Sequence, residues 1–534
     1  MASLPQQKTL GAYYTSEPVA RYLVRWAVRS KTDTVLDPSC GPGVFLSAAA
    51  ARLRELGSTR PEVCGIDIDE AALRCAQSRV PAARLLEDDF FRIKSGELPA
   101  FSAVVGNPPF IRYQSFNGSQ RTEALNRARE AGVELPQLSS SWAPFLIHAT
   151  RFLRTGGRLA MVAPAELTHA KYAAGVVKLL THTFERITVR LFQQKLFPEL
   201  SEDTLLLLCE DYGRSCQWFG VSPAHSIHRI EEADGISIPV DIDGIRSGRI
   251  RFTRYLLSRK AVQLYEDLSQ REHIIRLGQI ADIGIGYVTG ANDFFHLTAP
   301  EVRTLRIAPR FLMKALVSFG AYRGSVFGRE DWSTISRQGH KVFLLALPTC
   351  GAETFPRSIQ NYIRLGEENG TSRRFKCRVR TPWYSVPHVR IGHAFLSYMS
   401  GEGPRLVANS AHAVAPNTLH IVHFFHPRNV AETVTGWYSS LTRLSCEIEG
   451  HALGGGMLKL EPSEAERVRV ALPLRSDLST LRAQVEHLLR ASALPAAMDI
   501  ADRHILRGRF GLSLNECLTV RQAAEELGAW RMHK

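Results

Sequence analysis

The amino-terminal part of the chain predicts an α/β fold, a doubly wound and largely parallel sheet with helices on both faces. Three observations predict it. Short apolar strands alternate with helical stretches over residues 1–212. The first strand, Val35-Leu36-Asp37, runs through Pro38-Ser39-Cys40 into Gly41-Pro42-Gly43 and then an Ala-rich helix from Leu46 to Leu56. A second strand, Val63 to Asp67, ends in an acid where such a sheet presents a carboxylate to ribose hydroxyls.

Each element carries its own chemistry. Gly41 and Gly43 let the backbone approach a ligand closely, and the helix that follows offers free N–H groups. The turn is not the dinucleotide pattern Gly-x-Gly-x-x-Gly, because Leu46 stands where the third Gly would be. A third segment, Arg84 to Phe90, ends in Asp89-Phe90, an acid and a ring suited to an adenine amine and its face. A fourth, Ala103 to Gly106, runs into Asn107-Pro108-Pro109-Phe110. That tetrapeptide suits a flat, conjugated amine, whose lone pair is delocalised into a ring. An Asn oxygen and a backbone carbonyl each accept one N–H, draw the nitrogen toward tetrahedral geometry and free the lone pair. Pro108 has no N–H and fixes the turn, so its carbonyl can face the substrate, while Phe110 offers a stacking face. Taken alone, each segment also fits an ordinary strand end or a Pro-rich turn. Their shared order and spacing argue for one site.

In that order the chain resembles the gamma group of DNA adenine-N6 methyltransferases, and within it the TaqI-like branch, over residues 8–210. Gly11 to Thr15 resembles its amino-terminal cofactor motif, and Asp37 to Gly43 its Asp-x-x-x-Gly-x-Gly turn. Ser141-Trp142-Ala143-Pro144-Phe145 and Gly156 to Val162 resemble the two motifs after the tetrapeptide. Leu196-Phe197-Pro198 resembles the motif whose aromatic packs on the extruded base. Two positions depart from the pattern: Ser16 stands where Pro is frequent, and Phe110 where Tyr is commoner. The resemblance implies a class I fold that binds S-adenosyl-L-methionine through Thr15, Asp37, Gly41, Gly43, Asp67, Asp89, Phe90 and Phe145. It also implies Asn107, Pro108 and Phe110 as the catalytic set, with Phe110 and Phe197 holding the base and no metal taking part.

Composition agrees. At 45% hydrophobic and 22% charged residues the chain is that of a globular protein. No charged-then-apolar leader opens it and no apolar run approaches the ~18 residues of a membrane span, so a cytoplasmic location is expected. Nine scattered Cys without Cys-x-x-Cys pairs suggest reduced thiols, Cys40 among them as a buried structural residue. The net charge of +14 divides into +4 over residues 1–210 and +10 beyond. The excess outside the catalytic part suits a separate domain that grips double-stranded DNA.

Three domains are expected: residues 1–212 catalytic, 213–474 a mixed α+β target-recognition domain, and 475–534 a helical segment. Within the first, Ile111 to Ser141 is a polar insertion from the active-site turn, either a DNA-facing loop with Arg112 as a candidate contact or a solvated helical excursion. Within the second, Ile283 to Phe295, Thr381 to Tyr384 and Gly454 to Pro462 resemble landmarks of TaqI-like specificity domains. From Thr371 to Gly401 six basic residues, including Arg374, Arg378 and Arg380, stand without an acid and are interleaved with Phe375, Trp383 and Tyr384. That mixture suits phosphate and base contacts, although a solvated basic face would read the same.

The expected function is site-specific methylation of adenine N6, within a restriction-modification or related defence system. The absence of any Glu-x-Lys argues against a fused nuclease of the common type and leaves room for a separate cognate endonuclease or defence-system partner. An RNA guanine-N2 or protein glutamine methyltransferase uses the same amine chemistry, but is usually built without a large basic domain. A catalytically silent specificity module is a further alternative, disfavoured by the full set of cofactor motifs.

Overall fold

The computed structural model describes residues 15–111, 115–168, 172–192, 194–197, 203–224, 226–227, 230, 237–246, 252–453 and 455–532. These fall into two compact units that divide after Leu256.

The first unit opens with helix α1 (Glu17–Ala27), where Pro18 in the first turn suits helix entry and Val19, Ala20, Leu23, Val24 and Ala27 form its buried stripe. The chain then alternates as β1 (Thr34–Asp37), α2 (Val44–Glu55), β2 (Glu62–Asp67), α3 (Glu70–Arg79), β3 (Arg84–Glu87) and β4 (Phe101–Gly106). There follow α4 (Gly118–Glu130), α5 (Trp142–Thr150), β5 (Leu153–Pro164), α6 (Ala173–Thr183), β6 (Phe184–Phe192), β7 (Thr204–Tyr212), β8 (Trp218–Ala224) and β9 (Ile238–Pro239). One nine-stranded sheet results, ordered β3-β2-β1-β4-β5-β7-β6-β8-β9. Strands β1 to β5 are mutually parallel where they pair, and β7 lies antiparallel between β5 and β6. Strand order reverses between β1 and β4, and a ligand crevice opens beyond the carboxyl ends of the strands at such a switch point. The expected site residues stand there, because Asp37, Asp67 and Gly106 are the last residues of β1, β2 and β4. Strand β4 is buried at every position, as a central parallel strand covered on both faces must be.

The expected boundary at residue 212 is corrected. Strand β8 pairs in parallel with β6 along seven residues and β9 pairs with β8, so the sheet draws the chain into the first unit as far as Leu256. The polar insertion contains a helix, as the second of its two expected readings has it. It folds as α4, from which the buried Arg127 donates to the Phe91 carbonyl at 2.8 Å and pairs with Glu130. That arginine is a strut of the catalytic unit, not a DNA-facing group. Arg112 lies outside the described residues.

The second unit centres on a five-stranded sheet of β10 (Ala281–Ile285), β11 (Val326–Phe327), β12 (Ala394–Ser397), β13 (Leu406–Asn409) and β14 (Leu419–Phe424), ordered β10-β14-β12-β13-β11. Beside it, helix α7 (Arg357–Glu368) packs Ile359, Tyr362 and Ile363 into a core with Phe294, Phe295 and Tyr384. The short α8 (Phe375–Arg378) follows. The carboxyl-terminal helices α9 (Leu478–Arg490), α10 (Leu494–Asp502) and α11 (Leu514–Met532) belong to this same unit and are not a separate segment. The reason is visible in α11, where buried Arg531 forms an ion pair with buried Glu447 at 3.0 Å.

Candidate active site

A cavity of about 220 Å³ opens at the switch point of the first sheet. Of the eight residues expected to bind cofactor, Thr15, Gly41, Asp67, Asp89, Phe90 and Phe145 line it, and so does Asn107. Asp37 and Gly43 do not line it.

The turn after β1 is held from both sides. Gly41 and Gly43 take the left-handed backbone (φ 49° and 83°) that favours glycine, and Gly43 caps α2 without a side chain. Asp67 fastens this turn, its Oδ2 accepting from the Gly41 N–H at 2.7 Å and its Oδ1 from the Asp69 N–H at 2.9 Å. Each oxygen keeps a second lone pair for a hydroxyl. Burial pushes the Asp67 carboxyl up, and those backbone N–H groups oppose it. Asp67→Ala is therefore expected to weaken S-adenosylmethionine binding by about 1.5–3 kcal/mol, through lost charge-assisted bonds and a loosened turn. Titration calorimetry showing unchanged affinity would refute the assignment.

Asp37 is wholly buried, and its Oδ2 has no partner among the described residues. Its Oδ1 accepts from the Ser39 N–H at 3.2 Å. Gly106 is required beside it, since a Cβ there would come within 2.9 Å of Asp37 Oδ1. Burial raises the Asp37 carboxyl to about 8, with the Ser39 N–H opposing and the nearby Asp67 charge adding. An unfolded aspartate titrates near ~3.9, so between these values the folded chain holds a proton that the unfolded chain has lost. The stability it lends is complete below the unfolded value and is lost as pH rises through the folded one. Asp37→Asn mimics the protonated acid. Urea unfolding of the cofactor-free protein from pH 5 to 8 should show wild-type stability falling relative to this variant, by at most ~1.4 kcal/mol per pH unit. Parallel curves would mean the carboxyl is ionised throughout.

The far wall is aromatic. Phe90 lies 4.9 Å from Phe145, 4.6 Å from His148 and 5.1 Å from Phe152, ring centre to ring centre. Burial lowers His148 to about 4, so it stays neutral within this cluster. Asp89 is held by its own N–H donating to Asp88 Oδ1 at 2.7 Å, and its Oδ1 accepts from the Phe91 N–H at 3.0 Å. Phe110 and Phe197 pack against one core cluster, with Phe110 half-buried and Phe197 only 2% exposed. The stacking face expected of Phe197 is thus enclosed in this structure. Pro198 and the motif from Gly11 to Tyr14 lie outside the described residues.

The sequence reading missed Ile68, Ser39 and Ser141. Ile68 lines the cavity beside Asp67 and is 50% exposed, an apolar face next to the ribose acid. Its signal was an aliphatic residue directly after a strand-end carboxylate. The donor set fits S-adenosylmethionine. The Asp67 and Asp89 carboxylates suit hydroxyls and an amine, and Ile68 with the Phe90–Phe145 wall suits a purine.

In the second unit the expected basic segment is divided in its roles. Arg374 forms a two-pronged ion pair with Asp293 (2.5 and 2.8 Å), and Arg380 donates to the backbone carbonyls of Thr289 (2.8 Å) and Val288. Trp383 and Tyr384 pack into the core around Phe294 and Phe355. Arg380, Trp383 and Tyr384 hold the fold together, whereas the Arg374–Asp293 pair is exposed at the surface. Phe375, by contrast, is 61% exposed, with Lys376 Nζ and the Arg378 guanidinium each 5.5 Å from its ring.

Comparison with known proteins agrees with this architecture. Residues 2–208 match the family model described as N-6 DNA Methylase, and residues 249–506 that of the Type II methyltransferase M.Eco57I, C-terminal domain. The chain is 20% identical over 429 residues to the Type II methyltransferase M.AccI of Acinetobacter calcoaceticus, covering 79% of this chain and 77% of that one. It is 22% identical over 481 residues to M.XamI of Xanthomonas campestris pv. amaranthicola, covering 86% and 85%. Among solved structures, the Type IIL restriction-modification enzyme MmeI in complex with DNA shares the fold at a TM-score of 0.59 and 12% identity, over 98% of this chain and 80% of that one. Asp67, Asp89, the glycine turn and Asn107 meet at one cavity inside the span that matches N-6 DNA Methylase, and the span that matches the M.Eco57I C-terminal domain follows it: the chain is similar to N-6 DNA methylases in its first unit and to Type II methyltransferases over most of its length.

Proposed function

We propose that the protein transfers a methyl group from S-adenosylmethionine to the exocyclic N6 of an adenine in duplex DNA, at a specific sequence. One observation carries the reading. Asn107, the amine-accepting residue at the end of β4, faces the same cavity as the carboxylates of Asp67 and Asp89. The target base cannot reach this cavity from within the helix and must be flipped out. Asn107 Oδ1 and the Pro108 carbonyl accept the two amine hydrogens, and Phe110 supports the ring. Thr15, Gly41, Asp67, Asp89, Phe90 and Phe145 hold the cofactor, which supplies an electrophilic methyl on sulfonium sulfur. The chain's contribution is position and polarisation.

The relatives are Type II methyltransferases, which supports a place in a restriction-modification system, with a separate endonuclease as the partner enzyme. No helix of the described residues is long and apolar enough to cross a membrane. The test is expression in a host without adenine methylation, followed by single-molecule sequencing. N6-methyladenine at one fixed motif is the expected result. Unmodified DNA, together with methyl transfer to RNA or to a protein glutamine in extracts, would overturn it.

A further inference from the structure

The catalytic turn offers three successive backbone carbonyls, from Asn107, Pro108 and Pro109, and two of them are already bonded. The Ser39 hydroxyl donates to the Asn107 carbonyl at 3.2 Å. The Ser141 hydroxyl donates to the Pro109 carbonyl at 2.5 Å. No donor among the described residues reaches the carbonyl between them.

Ser141 does more than occupy one oxygen. Its Oγ also accepts from the Ile111 N–H at 2.9 Å, and its own N–H donates to the Ile111 carbonyl at 3.0 Å. Three bonds thus join one buried residue (1% exposed) to the segment directly after the reacting pair. Ser141 is itself anchored. It stands at the start of α5, where its carbonyl accepts from the Phe145 N–H at 3.2 Å, and its neighbour Trp142 donates from Nε1 to Glu166 Oε2 at 2.9 Å. Two adjacent prolines supply no N–H to hold Pro108 and Pro109 in place, so the turn depends on its carbonyls and on side chains for its register.

We propose that Ser141, with Ser39, is a positioning residue of the methyl transfer. By bonding the flanking carbonyls the two serines leave the Pro108 carbonyl as the backbone acceptor for the substrate amine and fix its distance from Asn107 Oδ1. The inference rests on the amine-methylation reading above. A turn free to rotate would offer the amine either proline oxygen. Displacements of an ångström at a reacting centre cost far more in rate than in binding.

The experiment uses the full chain, tritiated S-adenosylmethionine and total genomic DNA from a host without adenine methylation. Ser141→Ala is expected to lower kcat about 10- to 100-fold, with KM and the calorimetric Kd for the cofactor unchanged. Ser141→Thr, which keeps the hydroxyl, should recover kcat to within about threefold of wild type. Ser141→Cys matches the volume with a weaker hydrogen-bonding group and should fall between, which serves if the alanine variant does not fold. Wild-type kcat in Ser141→Ala or, should that not fold, in Ser141→Cys overturns the proposal. So does equal impairment of Ala and Thr variants accompanied by a lowered Tm, the signature of a purely structural role. Asn107→Ala is run beside them. If it stays active, the underlying reading has failed; if it is inactive while Ser141→Ala is normal, only the positioning role has.

Discussion

Replacing Asn107 by alanine is expected to lower the single-turnover rate of methyl transfer by roughly 10²–10³-fold, the usual cost of removing one preorganised polar group from a reacting centre. Cofactor affinity should stay within about twofold, since the carboxylates and rings assigned to the cofactor belong to other segments. The magnitude follows from what the side chain does. An aromatic amine donates its lone pair to the ring, and the nitrogen becomes nucleophilic only when both hydrogens are drawn out of the plane. In the proposed mechanism Asn107 Oδ1 is one of the two acceptors, and it directly follows β4, a strand buried at every position. The Pro108 carbonyl alone would bind the amine without reshaping it. Rapid-quench assays with tritiated cofactor, beside calorimetry, check both halves. Turnover close to wild type would exclude the mechanism, whereas a large loss of cofactor affinity would mean that Asn107 also shapes the cofactor pocket.

The path from sequence to this site was legible where chemistry is local. Asp67 ends, and Asn107 directly follows, a strand that the apolar pattern marks, and the turn around Gly41 and Gly43 announces itself by composition. What stayed hidden were commitments made over long separations. Ser141 reaches back 30 residues to Ile111, and nothing in its own neighbourhood shows it. Arg374 meets Asp293 across 81 residues, so an apparently acid-free basic run has its acid elsewhere in the chain. Asp37 is named as a cofactor contact by motif, and in the fold it is wholly buried, which no local sequence signal shows. The unit boundary was missed for a related reason: β8 completes the sheet by pairing with β6, and short strands after a polar linker carry little signal of their partner.

The same distinction between committed and available side chains selects which cations in the second unit are proposed to contact DNA. Lys376 and Arg378 flank the exposed ring of Phe375, whereas Arg380 is bound to the carbonyls of Val288 and Thr289. A guanidinium that satisfies two backbone carbonyls leaves them orphaned if it departs for a phosphate, at about 1–3 kcal/mol. No such cost restrains the pair beside Phe375. Replacing Lys376 and Arg378 together by Gln is therefore expected to flatten the slope of log K against log salt by nearly two units, at about 0.9 per lost phosphate contact. At ~0.1 M salt the same arithmetic predicts roughly 60-fold weaker duplex binding. Arg380→Gln should leave the slope unchanged and instead lower the denaturation midpoint. Phe375→Ala separates stacking from charge, because it should weaken binding without altering the slope. Binding isotherms at several salt concentrations, on cognate and scrambled duplexes, distinguish these outcomes. If Arg380→Gln flattens the slope and the double variant does not, the DNA-facing and structural roles within this segment are reversed, and the exposed ring is not part of the interface.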